Sequence, residues 1–399
     1  MATQEVAVRC VIAGGGPAGM MLGLLLARAG VPVAVLEKHA DFLRDFRGDT
    51  IHPSTLELMH ELGILHEFLR RPHQEVQQMV GQIGDAVVPI ADFAHLPTQC
   101  RFIALMPQWD FLDFVAEQAR RFAAFRLEME AEVDDLVIAG GRVAGVRATT
   151  PKGELVVRAD LVVGADGRHS TVRARAGLET IDRGAPIDVL WLRLSRRPDD
   201  PGETLGRFDA GRILLMLNRG DYWQCAFVIR KGGFDEIRRR GLPFFRDEIA
   251  RLAPHLRDRT SELADWPDIK LLTVIVDRLR VWHRPGLLCI GDAAHAMSPI
   301  GGVGINLAIQ DAVAAANLLA APLRRGKIAD DDLRAVQRRR EFPTRATQSM
   351  QLQIQNRVFS HVLDTAKPLS PPLFLRLPLL RRGLARLVGM GFRPEHIRC

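Results

Sequence analysis

Residues 6–39 read VAVRCVIAGGGPAGMMLGLLLARAGVPVAVLEKH, and their order decides the fold. Val6, Val8, Cys10, Val11 and Ile12 form an apolar run of strand length. Gly14-Gly15-Gly16-Pro17-Ala18-Gly19 follows, then an apolar helix over Met20 to Ala29 that Gly30 stops. A second strand over Val33 to Leu36 delivers Glu37. This is G-x-G-x-x-G in a strand–turn–helix setting. Gly14 permits the tight turn, Gly16 lets backbone approach a pyrophosphate, and Gly19 lets the helix lie close on the strand. The helix start, with Pro17 and Ala18, turns free N–H groups and a positive dipole end toward the phosphates. Glu37 stands 21 residues beyond Gly16, where a carboxylate accepts from ribose hydroxyls and repels a 2′-phosphate. Lys38 follows it at the rim. These residues alone leave NAD and FAD both open.

Two later stretches bear on that choice. Leu161 to Val172 reads LVVGADGRHSTV, a strand running into Asp166-Gly167 and then a helix start near Ser170 or Thr171. Leu287 to Ile290 is another strand, followed over Gly291 to Ala312 by GDAAHAMSPIGGVGINLAIQDA. That strand ends on Asp292, and the turn of Gly301, Gly302 and Gly304 opens a helix with apolar spacing from Ile305 to Leu319. A carboxylate at Asp292 suits a sugar-alcohol chain, and the helix start suits a second phosphate or a flavin carbonyl edge.

Together, Gly14 to Gly19 with Glu37, Asp166-Gly167, and Gly291-Asp292 followed by Pro299 and Gly304 resemble the three fingerprints of the p-hydroxybenzoate hydroxylase family of single-component FAD-dependent aromatic monooxygenases. The likeness runs from about residue 6 to about residue 345. It implies an α/β fold: a Rossmann-like FAD-binding domain of the glutathione reductase type, an inserted antiparallel-sheet substrate domain, and C-terminal helices. The expected parts are FAD-binding segments at 1–75, 101–180 and 281–330, substrate-domain segments at 76–100 and 181–280, and a helical region at 331–399.

The resemblance also implies site roles. Asp292 would hold the ribityl chain, and Asp166-Gly167 would serve both FAD and the nicotinamide cofactor. Arg47 would lie beside the flavin and pyrophosphate, and Gln108 would start a helix that touches FAD. Pro299, Gly302, Val303, Gly304, Ile305 and Asn306 would form the wall and the backbone donors near the flavin's reactive edge, with Arg47 and Pro299 nearest the chemistry. Asp49 and His52 lie close to Arg47 in sequence. FAD is the tightly bound cofactor in this reading, and NAD(P)H and O2 are transient co-substrates. The implied reaction passes through a C4a-hydroperoxyflavin to hydroxylate a small aromatic or heteroaromatic compound. No second G-x-G-x-x-G occurs, so no separate nicotinamide domain is expected.

Strand patterns at Ile187–Ser195, Arg212–Leu217, Tyr222–Ile229 and Leu271–Val276 supply the substrate sheet, with a hairpin turn at Asn218 to Asp221. Candidate pocket residues on it are Trp191, Arg193, Met216, Trp223 and Cys225, although period-two alternation leaves open which face looks inward. The family's phenol-activating tyrosine relay is absent, because Tyr222 is the single tyrosine. His295, His52 or a water could replace it as a base, or no base is needed for an electron-rich substrate.

Composition narrows the rest. The 399 residues carry a net charge of +7, but with only six Lys and scattered Arg there is no nucleic-acid motif. Small anionic ligands are the better use of the charge. Cys10, Cys100, Cys225, Cys289 and Cys399 form no C-x-x-C pair, which argues against a zinc site or a disulfide framework and for the cytoplasm. No export signal and no membrane-spanning run of about 18 uncharged apolar residues is read. Arg338 to Arg340 and Arg381-Arg382 read as solvated helix faces, and Leu373 to Val388 could dock on a membrane or partner. A homodimer stays open. The alternatives are a flavin reductase or halogenase on the same fold, a quinone-precursor hydroxylase, or a flavin-free binding protein. The halogenase lacks its W-x-W-x-I-P run here, and the binding protein would lack Asp292 and Asp166-Gly167.

Overall fold

The computed structural model describes residues 3–43, 50–201, 205–364, 369, 371 and 377–399. Its organising layer is an eight-stranded sheet. Across it run His283–Arg284, Leu287–Cys289, Gly153–Gly164, Gln4–Ala13, Val33–Leu36 and Phe125–Glu128. The five from Leu287–Cys289 to Phe125–Glu128 are parallel. Register sets the site: Ala13 lies opposite both Gly164 and Leu36, and Gly164 lies opposite Cys289. All four strands therefore end on one line, and the loops after them leave from the same sheet edge.

The Pro17–Arg28 helix covers one face, buried from Ala18 to Ala27 because its residues are apolar all round. The Gly304–Arg324 helix lies against it, with Ala308, Ala312, Ala315 and Ala316 allowing close approach. Among the described residues one stretch, Ile300–Arg324, is long and apolar enough to cross a membrane, but 78% of its most apolar 18-residue window is buried inside the protein, and the stretch carries the buried Asp311.

The second large sheet has seven strands in the order Lys270–Leu272, Ile187–Ser195, Tyr222–Arg230, Arg212–Asn218, Leu205–Asp209, Gln78–Ile83 and Ala86–Asp92. It is antiparallel except between Leu205–Asp209 and Gln78–Ile83, which run parallel, so the expected antiparallel sheet is a mixed one. The expected hairpin turn is present, with Gly220 at φ +87° and its N–H donating to Asn218 Oδ1 at 2.9 Å. The strand expected over Leu271–Val276 stops at Leu272. There the Asp188 carboxylate takes the Val274 N–H at 3.0 Å, and Lys231 Nζ donates to the Val274 carbonyl at 2.6 Å. Side chains thus replace the ladder.

One sheet face packs on the Phe234–Arg240 and Leu242–Leu252 helices through Leu192, Met216, Trp223, Cys225, Phe227, Phe245 and Ile249. The opposite face carries Val189, Trp191, Ile213, Leu215, Ala226 and Val228, and Ile300 of the glycine turn packs against it.

The Asp330–Ile354 helix also differs from expectation. Arg340 is fully buried rather than solvated, because Asp311 and Glu395 supply carboxylates to it. The Pro378–Gly389 helix sets Leu384, Ala385 and Val388 on Phe93, Leu96, Ile103 and Leu105, while Leu379 on its other side is 78% exposed.

Candidate active site

Three loops meet at the shared edge. A Cβ on Gly14 would come within 2.4 Å of the Ala165 carbonyl oxygen, and Gly14 has φ +104°, so the first glycine turn lies directly on the Asp166 loop. A Cβ on Gly291 would meet the Cβ atoms of Ala18 at 3.1 Å and Ala308 at 3.2 Å. The third loop therefore sits between the starts of the two long helices. Gly19 is forced by its own turn, since a Cβ there would lie 2.0 Å from Gly14 O.

Gly16 is different: a Cβ would meet nothing of the protein within 4 Å. It is also the N-cap of a helix with no side-chain cap and no acidic residue in its first turn. Open space at a glycine beside uncapped N–H groups is the cradle a pyrophosphate requires. Glu37 is buried next to it. Its Oε2 accepts from Gly15 N at 2.9 Å and its Oε1 from His39 N at 3.1 Å, which fixes the carboxylate at the end of the second strand. Lys38 is exposed beyond it.

Asp292 leaves the end of the Leu287–Cys289 strand with its side chain 36% exposed, 4.0 Å from Arg168. The Gly304–Arg324 helix starts after Val303 with neither a side-chain cap nor an acidic first turn, a second free helix N-terminus at the site. Pro299 caps the Ile300–Gly302 turn, where Gly301 and Gly302 adopt φ +76° and +62°. Gln108 opens the Gln108–Ala119 helix, as expected. These residues fit an elongated FAD: open glycine, two uncapped helix starts, and two carboxylates at strand ends.

Other residues stand in different roles from those expected. The Asp166 carboxylate is spent inside its loop, accepting from Ser170 Oγ at 2.5 Å and Val172 N at 3.0 Å. Burial pushes its pKa up, against the pull of those two bonds. Asn306 is a strut. Its Oδ1 accepts from His52 N at 3.1 Å and Thr55 Oγ1 at 2.6 Å, tying the glycine turn to the segment after residue 50. Ile305 and Val303 lie beside it at the helix start. Arg47 and Asp49 lie outside the described residues.

Neither proposed histidine base is suited to the task. His52 is fully buried, its Nδ1 is 2.7 Å from the Val388 carbonyl, and burial pushes its pKa down to about 4. It is neutral at pH 7, with Nδ1–H donating to Val388. His295 Nε2 is 2.6 Å from Asp311 Oδ2, and its ring packs on Trp282 with centroids 5.0 Å apart.

Of the pocket candidates, Met216, Trp223 and Cys225 point into the helix-backed core, away from the glycine turn. Each is the odd partner in the alternation that puts Trp191 and Ala226 on the inward face. Trp191 is on that face. Arg193 shares it by alternation but sits at the exposed end, its guanidinium 3.8 Å over the Tyr222 ring.

The residue the sequence did not single out is Asp311. It is fully buried, accepts from Gly291 N at 3.1 Å and from Arg340 Nε at 2.8 Å, and meets His295. Burial alone would raise its carboxyl; the charges of and hydrogen bonds from His295 and Arg340 outweigh that and hold it below the usual range. Glu395 continues the chain, 3.4 Å from Arg340 and 2.7 Å from Arg339. The signal for Asp311 in the sequence was a charge inside an otherwise apolar helix pattern.

This arrangement defines a flavin-binding oxidoreductase, and comparison with known proteins agrees. The family described as FAD binding domain matches residues 7–350. A relative from Streptomyces rimosus, 6-methylpretetramide 4-monooxygenase, is 34% identical over 387 residues, covering 95% of this chain and 91% of its own. Among solved structures, p-nitrophenol 4-monooxygenase PnpA from Pseudomonas putida superposes with a TM-score of 0.75 at 21% identity, covering 96% of this chain and 94% of its own. PqsL of P. aeruginosa, in complex with 2-aminobenzoylacetate, gives 0.74 at 23%, covering 90% and 100%. The chain belongs to the p-hydroxybenzoate hydroxylase-like FAD-dependent aromatic monooxygenases.

Proposed function

We propose that this monooxygenase uses NAD(P)H and O2 to hydroxylate a small aromatic or heteroaromatic compound beneath the seven-stranded sheet. The observation that carries the reading is the meeting of the three loops at one sheet edge, with Gly16 open and Gly14 against Ala165. When bound, FAD supplies hydride acceptance and oxygen activation. The chain's own share is to bind, orient and exclude water.

The amides of Gly16, Ala18 and Gly19 and the dipole of the Pro17–Arg28 helix take the pyrophosphate. Glu37 accepts from the ribose of the adenosine half, and Asp292 accepts from the ribityl hydroxyls. The start of the Gly304–Arg324 helix offers N–H groups to the flavin's carbonyl edge, beside Pro299. Gln108 and Lys38 complete the cofactor contacts. Val189, Trp191 and Ile300 form an apolar surface that keeps water from the reacting carbon. With His52 and His295 held in structural contacts, no protein base is assigned, and the substrate is one already electron-rich. The five free cysteines suit a reducing compartment, and we place the enzyme in the cytoplasm.

The test is NAD(P)H consumption by the FAD-loaded protein across aromatic acids, phenols and N-heterocycles, with labelled O2. One labelled oxygen atom in the product is expected. Substrate-stimulated turnover that runs equally fast without O2 would assign a reductase instead, and a brominated product formed with bromide present would assign a halogenase.

A further inference from the structure

The strand after the Asp292 turn is only two residues long, yet the chain beyond it is held as if the ladder continued. His295–Ala296 pairs with Asp277–Leu279, and past Ala296 the partners are glutamine side chains of the Asp330–Ile354 helix and the turn that follows it. Gln348 Nε2 donates to the carbonyls of Ala296 at 3.1 Å and Asp277 at 2.6 Å. Gln351 Oε1 accepts from Ser298 N at 3.2 Å, and its Nε2 donates to the carbonyls of Ser298 at 2.9 Å and Ile300 at 2.8 Å. Gln355 Nε2 donates to Ser298 Oγ at 2.6 Å.

Gln348, Gln351 and Gln355 stand at helical spacing on one face, and all three are buried. Three sealed amides are costly unless their bonds are made, so this face is built for the backbone it meets. Gln353, in the same run, is exposed. Along the tied segment Ala296 and Ser298 are buried, whereas Met297 and Pro299 are only half-buried. A Cβ on Gly304 would lie 3.8 Å from Met297 Cβ, which sets Met297 against the free start of the Gly304–Arg324 helix. At Gln355 the helix passes into a π-helical turn that carries Phe359 onto Phe208 of the seven-stranded sheet, with centroids 6.0 Å apart. One helix end thus braces both the loop and the sheet.

We infer that Gln348, Gln351 and Gln355 are positioning residues: they serve as a strand made of side chains, which sets Met297 and Pro299 at the flavin's reactive edge and keeps water from it. This rests on the monooxygenase reading above, which puts that edge beside Pro299.

Two measurements on Gln351→Met test it, with exposed Gln353→Met and destabilised Met216→Ala as controls. The first is amide hydrogen exchange of the 296–305 segment in the apoprotein. Gln351→Met should speed exchange there at least about fivefold, the shift that losing one hydrogen bond gives to an opening equilibrium. The second is stopped-flow mixing of dithionite-reduced, FAD-loaded enzyme with O2, in which two electrons and two protons pass from reduced flavin to O2 to give FAD and hydrogen peroxide. The oxidised flavin should return severalfold faster in Gln351→Met, and at the wild-type rate in both controls. If Gln351→Met fails to fold, Gln355→Met, which removes a single hydrogen bond, decides. Exchange at the wild-type rate overturns the inference. So does faster exchange with unchanged flavin reoxidation, or reoxidation accelerated equally in Met216→Ala. Protein that stays colourless with added FAD would instead remove the monooxygenase reading; unchanged reoxidation in yellow protein removes only this one.

Discussion

At the scale of single residues, the glycines divide into those the fold needs and one that the ligand needs. Gly14 and Gly19 face protein backbone at distances no Cβ tolerates, whereas Gly16 faces open space. Gly16→Ser should therefore fold as well as the wild type, because serine is a good N-cap. Its Cβ and hydroxyl would occupy the cradle, and FAD affinity should fall about tenfold or more, roughly 1.4 kcal/mol. Gly19→Ala should fail in the opposite sense, losing folded protein before flavin affinity can be measured. Thermal melting of the apoprotein, paired with FAD titration by fluorescence quenching, separates the two. Equal FAD affinity in Gly16→Ser and wild type would refute the cradle. Gly14 and Gly19 were legible in sequence because close backbone packing dictates glycine at each, whereas the fold sets no such demand on Gly16. The structural contacts of Asp166 and Asn306 were not legible in the sequence. Their partners, Ser170 with Val172 and Thr55 with His52, are chosen by tertiary approach.

At the scale of elements, the strand positions at Ile187–Ser195 and Tyr222–Arg230 follow from residue type, but the direction of each face does not. Alternation fixes that Trp191 and Leu192 point opposite ways, yet Met216, Trp223 and Cys225 are as apolar as residues that line a pocket. Only the docking of the Leu242–Leu252 helix on one side and of Ile300 on the other decides the matter. Met216 consequently belongs to stability. Met216→Ala should cost about 2–5 kcal/mol through lost packing and a residual cavity. The KM for whichever aromatic stimulates NAD(P)H oxidation should stay within about twofold of wild type. Urea unfolding and steady-state kinetics on the same preparation check both halves. A large KM change with unchanged stability would return Met216 to the pocket. The end of the Lys270–Leu272 strand was likewise beyond the local pattern, since LLTVIV reads as one strand until Asp188 and Lys231 arrive from the sheet to take the backbone of Val274.

At the scale of the whole molecule, a buried charge chain joins the third fingerprint loop to the last helix of the fold core and to the final residues of the chain. Gly291 N–H, His295 and Arg340 converge on Asp311, and Arg340 passes on to Glu395. Three segments distant in sequence must coincide for this, so the RRR run at 338–340 read as solvated surface when taken alone. Removing one member of a buried pair leaves the other uncompensated, a loss of about 3–5 kcal/mol. Asp311→Asn should thus lower stability by that order, with Glu395 at 3.4 Å as the only carboxylate then left to Arg340 among the described residues. The Asp292 loop should also loosen, because Gly291 N–H loses its charged acceptor, and FAD should dissociate faster. A second variant separates the two effects. Asp311→Asn combined with Arg340→Met removes both charges and should recover much of the stability, while the faster flavin release persists. Denaturation midpoints and stopped-flow flavin release across wild type, single and double variants give the answer. If the double variant regains the wild-type release rate, the chain serves packing alone; if the single variant already keeps both stability and flavin, Asp311 does not hold the loop.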